Sequence, residues 1–236
     1  MNNALSSLIK DLHNLSNPVK AEVHQRFFKT GKGEYGEGDV FIGLTMPQMR
    51  KINKKYKKLD LKSVQHLLKS KIHEERLVAL LIMVSQYEKG VKEEREETVQ
   101  IYLKNTKYIN NWDLVDLSAP KIIGAYLLHK KDRSLLNKLA LSKLLWEKRI
   151  SMVSTYTLIK AGQLDDTIKI AEMLLKDKHD LIHKATGWML REVGKQDIYL
   201  LEEFLEKYMD KMPRTALRYS IERMSREKRD YYLGRK

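Results

Sequence analysis

Trp112 and Asp116 stand four residues apart in "NNWDLVDLSAP", residues 110–120, so on a helix they share one face. Asp113 in the same stretch has an ordinary explanation: a carboxylate in the first turn after an asparagine cap is favoured by free amides and the helix dipole. Asp116 lies a turn further in, where that explanation fades. Trp188 and Arg191, in "KATGWMLREVGK", are three apart and also share a helical face, and Arg149 stands between the two pairs in "WEKRISMV". A carboxylate can stabilise developing positive charge or orient a water. Aromatic faces attract cationic groups, and arginine holds anionic oxygens through paired N–H donors. The structural alternative is plain: tryptophans are commonly core, and single arginines are commonly solvated or ion-paired.

The elements that must present these residues are helical. Apolar residues recur at helical spacing nearly everywhere, with no convincing period-2 strand, which predicts an all-α fold. The expected helices are 3–15, 18–29, 46–57, 61–70, 73–89, 91–104, 111–129, 133–146, 147–162, 164–176, 180–194, 197–209, 213–224 and 226–233. Pro18, Pro47 and Pro213 sit where a first turn begins, whereas Pro120 falls inside a helical stretch and should kink it near Leu117–Ala119. From about residue 72 the helices pair at a spacing that suits helical hairpins of the HEAT or armadillo kind. The expectation is one domain, 1–236, with N-terminal helices and a glycine-rich loop over about 1–70 and paired-helix repeats over about 71–236. Stacked hairpins of this kind leave a long concave face for an extended partner, and three successive repeats would carry Trp112 with Asp116, then Arg149, then Trp188 with Arg191.

Composition narrows the function. The formal net charge is +14, with seven Lys or Arg against one Asp over Arg50–Lys62 and nine against three over Lys211–Lys236. This is the electrostatic footprint of nucleic-acid binding, and it makes Arg50, Lys51 and Lys54 candidate DNA contacts. There is no cysteine, which excludes disulfides, thiolate metal sites and cysteine nucleophiles. No run of 18 apolar residues occurs, and the N-terminus reads as an amphipathic helix rather than a signal peptide, so no membrane partner and a cytoplasmic location are expected. Two motifs are decoys. Gly31, Gly33 and Gly36 match G-x-G-x-x-G but follow a helix rather than a strand, beside Glu34, Glu37 and Asp39 that would repel a pyrophosphate. His73–Glu74–Glu75 lacks the second zinc-binding histidine, because position 77 is Leu77.

The segments "YINNWDLVDLSAPKIIGAYL", "WEKRISMV", "KATGWMLREVGK" and "FFKTGKGEYGEGDVFIGLTMPQMRKI" resemble the AlkD family of DNA glycosylases over nearly the whole chain, most specifically in W-D-x-V-D and G-W-x-L-R-E. The resemblance implies a right-handed superhelical solenoid of HEAT-like hairpins. It implies monofunctional excision of cationic N3- and N7-alkylpurines from duplex DNA in base excision repair, by a monomer without metal or cofactor. It puts the catalytic aspartate at Asp116, active-site tryptophans at Trp112 and Trp188, and phosphate-contacting arginines at Arg149 and Arg191. Thr157 departs from the pattern, standing where the best-known members carry lysine. An alkylated purine already bears positive charge and leaves as a neutral base, so little general-acid help is needed. What remains is an oxocarbenium-like sugar, which a carboxylate can stabilise. The alternatives are a non-catalytic binder of damaged or branched DNA on the same scaffold, and a protein-interaction scaffold whose duplex binding would lack steep salt dependence.

Overall fold

The computed structural model describes residues 3–234, so Arg235 and Lys236, which end the C-terminal basic run, lie outside the described residues. Among the described residues the regular elements are all helical, and extended backbone pairs only at an isolated parallel bridge between Val40 and Ile72. The fold is all-α, as the periodicity predicts. The chain divides between Ser118 and Ala119 into two compact units.

The first unit contains α1 (Asn3–His13), α2 (Pro18–Phe27), α3 (Met46–Tyr56), α4 (Leu61–Leu68), α5 (His73–Lys89), α6 (Lys92–Lys104) and nearly all of α7 (Trp112–Ala119). Its centre is α5, which packs against α1, α3, α4 and α6. The run Leu77–Val84 is buried on every side, as expected of a helix whose apolar residues do not keep to one stripe. Local chemistry sets the flanking starts. Asn17 accepts from the Lys20 amide with Pro18 opening α2, and Asp60 accepts from the Ser63 amide at the head of α4.

Between α2 and α3 runs the glycine-rich segment, and the first turn of α5 holds it down. Glu74, 1% exposed, accepts from the amides of Ile42, Gly43 and Leu44 at 3.1, 2.8 and 3.2 Å. Gly43 has φ +83, and a side chain there would begin 2.1 Å from the Asn17 carbonyl oxygen, so only glycine fits. Arg76 donates to Asp39 at 2.6 Å and to the Ser70 carbonyl at 2.9 Å, and Glu75 pairs with His13 at 3.1 Å. The amides of Gly31 and Gly33 are taken by the carboxylates of Glu34 and Glu37, so the glycine motif is satisfied from within its own loop.

The second unit contains a π turn (Pro120–Gly124), α8 (Ala125–Leu127), α9 (Ser134–Ala140), α10 (Leu145–Lys160), α11 (Asp165–Leu174), α12 (Asp180–Gln196), α13 (Ile198–Tyr208), α14 (Arg214–Ser220) and α15 (Arg226–Gly234). Helix α10 packs on the π turn, α9, α11 and α12, and α12 packs on α11, α13 and α14. The expected helix 111–129 is thus three elements. The backbone answers Pro120 with a widened turn, in which the Ala125 amide reaches the Pro120 carbonyl, an i→i+5 bond. Thr157 donates to the same carbonyl at 2.6 Å, and a side chain at Gly124 would begin 2.3 Å from the Ser154 carbonyl, so π turn and α10 meet backbone to backbone. The expected helix 133–146 ends at Ala140 instead. Ser142 draws the Leu144 amide onto its hydroxyl at 3.0 Å, competing with the helical bond, while Leu141 and Leu144 keep up an apolar rhythm that is 74% and 48% exposed.

Candidate active site

Trp112 opens α7, with its backbone amide donating to Asn111 Oδ1 at 2.8 Å. Its indole Nε1 donates to the Tyr35 hydroxyl at 3.2 Å, its ring stacks on Phe28 at 5.3 Å and 25°, and Phe27 meets it edge-on at 6.0 Å. Phe27 itself is 62% exposed, so this aromatic cluster faces solvent along one edge. Asp116 lies one turn along α7 and, like Trp112, is half-buried. Beside it the Tyr102 phenol is held far above its ordinary value, by burial foremost and also by the negative charge of Asp116, while it shares a hydrogen bond of 2.9 Å with Ser118. The structure therefore puts the first pair on one partly exposed helical face, an aromatic ring fixed by its neighbours and an acid one turn away.

Asp113 does more than the dipole explanation requires. One carboxylate oxygen accepts from the Leu114 amide, and the other meets His73 Nε2 at 2.8 Å. The opposite ring nitrogen, Nδ1, meets Asp39 at 3.1 Å. Asp39 is 5% exposed and also accepts from Arg76 and from the amide groups of Asn110 and Asn111, at 3.5 and 3.3 Å. Carboxylates on both nitrogens require both to donate, which makes the ring an imidazolium. Burial alone would lower the His73 pKa, but the bonds to Asp113 and Asp39 outweigh it and raise the value above 6.5. Burial likewise pushes Asp39 up, and His73 and Arg76 more than reverse this, leaving it below 3.8. Two anions and two cations thus form a compensated cluster behind Trp112.

In the second unit, Arg149 on α10 is 5% exposed, and its guanidinium donates to the Leu181 carbonyl of α12 at 2.6 Å. It is a buried brace between two helices and not the surface cation that an isolated arginine suggests. Trp188 on α12 is half-buried and lies 5.9 Å from Tyr156 of α10, with Lys160 5.5 Å over the far ring. Arg191 forms a close ion pair with Glu222, which is 50% exposed, and lies 3.6 Å from Glu192. The exposed side chains Arg50, Lys51 and Lys54 lie on α3, and none takes part in an ion pair among the described residues. A cavity of about 680 Å³, which neither Trp112 nor Asp116 lines, has both Lys57, Lys58, Lys62 and Lys89 and the acids Asp60, Glu94 and Glu97 in its wall.

Sequence reasoning missed several contributors. Tyr156 and Lys160 follow Arg149 at helical intervals and were legible in principle. Tyr35, Phe28, His73 and Asp39 were not, because nothing in their spacing announces that one loop, one helix start and α7 meet.

Among the described residues the chain is all-helical, and its sequence is strongly basic. The chain matches the family described as DNA alkylation repair enzyme over residues 8–224, and it belongs to that AlkD-like family. In structure it is similar to a protein titled "Predicted DNA alkylation repair enzyme from Enterococcus faecalis", with a TM-score of 0.70 at 18% identity, over 89% of this chain and 97% of that one. A search of curated proteins finds no match. Family membership makes DNA the partner and repair of alkylation damage the setting. No described helix is long and apolar enough to cross a membrane.

Proposed function

We propose that the protein is a monofunctional DNA glycosylase that releases cationic N3- and N7-alkylpurines from duplex DNA by hydrolysis of the N-glycosidic bond. The observation that carries this is the pairing of Asp116 with a fixed Trp112 on one partly exposed face of α7. Asp116, as an anion, stabilises the sugar's developing positive charge and orients the attacking water. The Trp112 and Trp188 faces attract polarised or cationic C–H groups of the lesion nucleotide, each by about 0.5–2 kcal/mol. Arg191 holds a backbone phosphate by exchanging Glu222 for it. Arg149 ties α10 to α12, the helix that carries Arg191, and its burial makes it a support of the phosphate contact. Arg50, Lys51 and Lys54 add sequence-independent attraction to the duplex. In keeping with the family, the paired helices α5 with α6, α10 with α11 and α12 with α13 are read as HEAT-like hairpins of a right-handed solenoid that acts as a single DNA-binding domain and as a monomer.

The test is release of free N7-methylguanine or N3-methyladenine from alkylated duplex under single turnover. Asp116→Asn keeps size and most hydrogen bonding but deletes the charge, and it is expected to slow release by at least about 10²-fold. Duplex binding should stay equal or tighten. A parent that binds duplex and releases no base leaves the non-catalytic binder as the reading. A parental rate in Asp116→Asn removes Asp116 as the catalytic carboxylate.

A further inference from the structure

We propose that His73 is the positioning residue of this site: held between Asp39 and Asp113 and packed against Phe41 and Phe28, it fixes the first turn of α7 and so the orientation of Trp112 and Asp116. The kinetic part rests on the glycosylase reading of Asp116. His73 is 2% exposed, so its own ring cannot meet DNA. It acts through its neighbours instead. Its ring stacks on Phe41 at 4.4 Å and lies 5.2 Å from Phe28, which stacks on Phe41 at 5.0 Å and in turn on Trp112. Through Nε2 it holds Asp113, the residue after Trp112 and one turn before Asp116 on the same helix.

The charges around His73 come from each element packed on it: Asp39 from the glycine-rich segment, Arg76 from the next turn of α5, and Asp113 from α7. Glu74 faces away, toward the loop amides and His24 at 3.8 Å. With the ring protonated the two anions and two cations balance. Loss of the proton leaves two buried or half-buried carboxylates facing Arg76 alone, and one ring nitrogen can no longer donate. Asp113 is the partner with access to water, its side chain 20% exposed against 4% for Asp39, so it is the bond that yields. The start of α7 then loses its tie to α5.

The experiment uses the full chain from about pH 5.5 to about 9, with the His73 ring followed by nitrogen-15 NMR and assigned by His73→Gln. In parallel, single-turnover release of N7-methylguanine is measured at saturating protein. The parental rate is expected to fall as the pH rises through the His73 titration. In His73→Gln that limb should vanish and the rate should be about 10- to 100-fold lower throughout, the scale of a small misplacement of catalytic groups, with duplex affinity unchanged. Asp113→Asn should reproduce both effects. Parental rates in both variants, or the same limb persisting in His73→Gln, overturn the proposal. If His73→Gln melts below the assay temperature, Asp113→Asn decides. If the parent releases no base, the glycosylase reading fails on its own, and the Trp112 indole N–H signal judges the positioning role. That signal moves with the His73 titration if His73 sets Trp112, and a signal that stays fixed overturns the proposal.

Discussion

Asp39 in the first unit and Arg191 in the second are both charged residues near a candidate tryptophan, and they are held in opposite ways. Asp39 is 5% exposed and receives His73, Arg76, Asn110 and Asn111. Arg191 pairs at the surface with Glu222, whose side chain is half exposed. The difference separates two jobs. A dry, fully bonded charge cannot exchange partners without leaving another charge bare, so it fixes geometry. An ion pair at the rim contributes little and can be traded for a phosphate.

The comparison breaks most visibly at Asp39. Asp39→Ala strips His73 and Arg76 of their shared anion and is expected to cost about 3–5 kcal/mol of folding stability, read by denaturant or thermal melting. The loss should depend on pH. Asp39 has its folded pKa lowered, so its contribution is present above 3.8 and lost as pH falls through the folded value. His73 has its folded pKa raised, so its contribution is full below 6.5 and lost as pH rises through the folded value. The gap between parent and Asp39→Ala should therefore be widest between pH 3.8 and 6.5 and narrow on both sides. A pH-independent gap would mean that packing, not charge, holds the cluster.

Within the second unit, Arg191→Ala and Arg149→Ala sharpen the contrast between exchangeable and fixed cations. Each loses charge-assisted hydrogen bonds worth about 1.5–3 kcal/mol, but the loss should surface in different measurements. Arg191→Ala should weaken duplex binding at near-parental melting temperature. Arg149→Ala should lower the melting temperature first, because the Leu181 carbonyl loses its buried donor. Equal behaviour of the two variants in both assays would erase the distinction. The smallest effect is expected from Glu222→Gln, below about 1 kcal/mol in stability. Its diagnostic value lies in binding, which should tighten as Arg191 is released toward phosphate, and weaker binding would contradict the exchange.

Much of the helical pattern was legible because most helices of these units bury apolar residues at helical spacing, and periodicity records that directly. It misled where apolar rhythm and backbone chemistry part, as at Leu141–Leu144, where a serine hydroxyl captures the backbone. Pro120 announced a disturbance without its form, since a missing N–H is compatible with a bend or a widened turn. Among the site residues, Trp112 and Asp116 were readable from helical spacing on one element. Asp113 stands in the first turn of α7, as the dipole reading has it, but its further partner, His73, is forty residues away and belongs to a motif that made sense only as a failed metal site. The burial of Arg149 was not readable for the same reason: its guanidinium is bound to the Leu181 carbonyl of α12, a contact that no local pattern encodes.

The carboxylate of Glu74 gives the glycine-rich segment a character its composition hides. With three successive amides closed over one buried anion, the stretch around Gly43 cannot lift away while α5 stays intact, because departure would strip a charge of all its donors at once. Loop and helix therefore open together as one cooperative unit. A segment rich in glycine here serves as a fixed wall against which Trp112 is braced, and it is no hinged flap over the site.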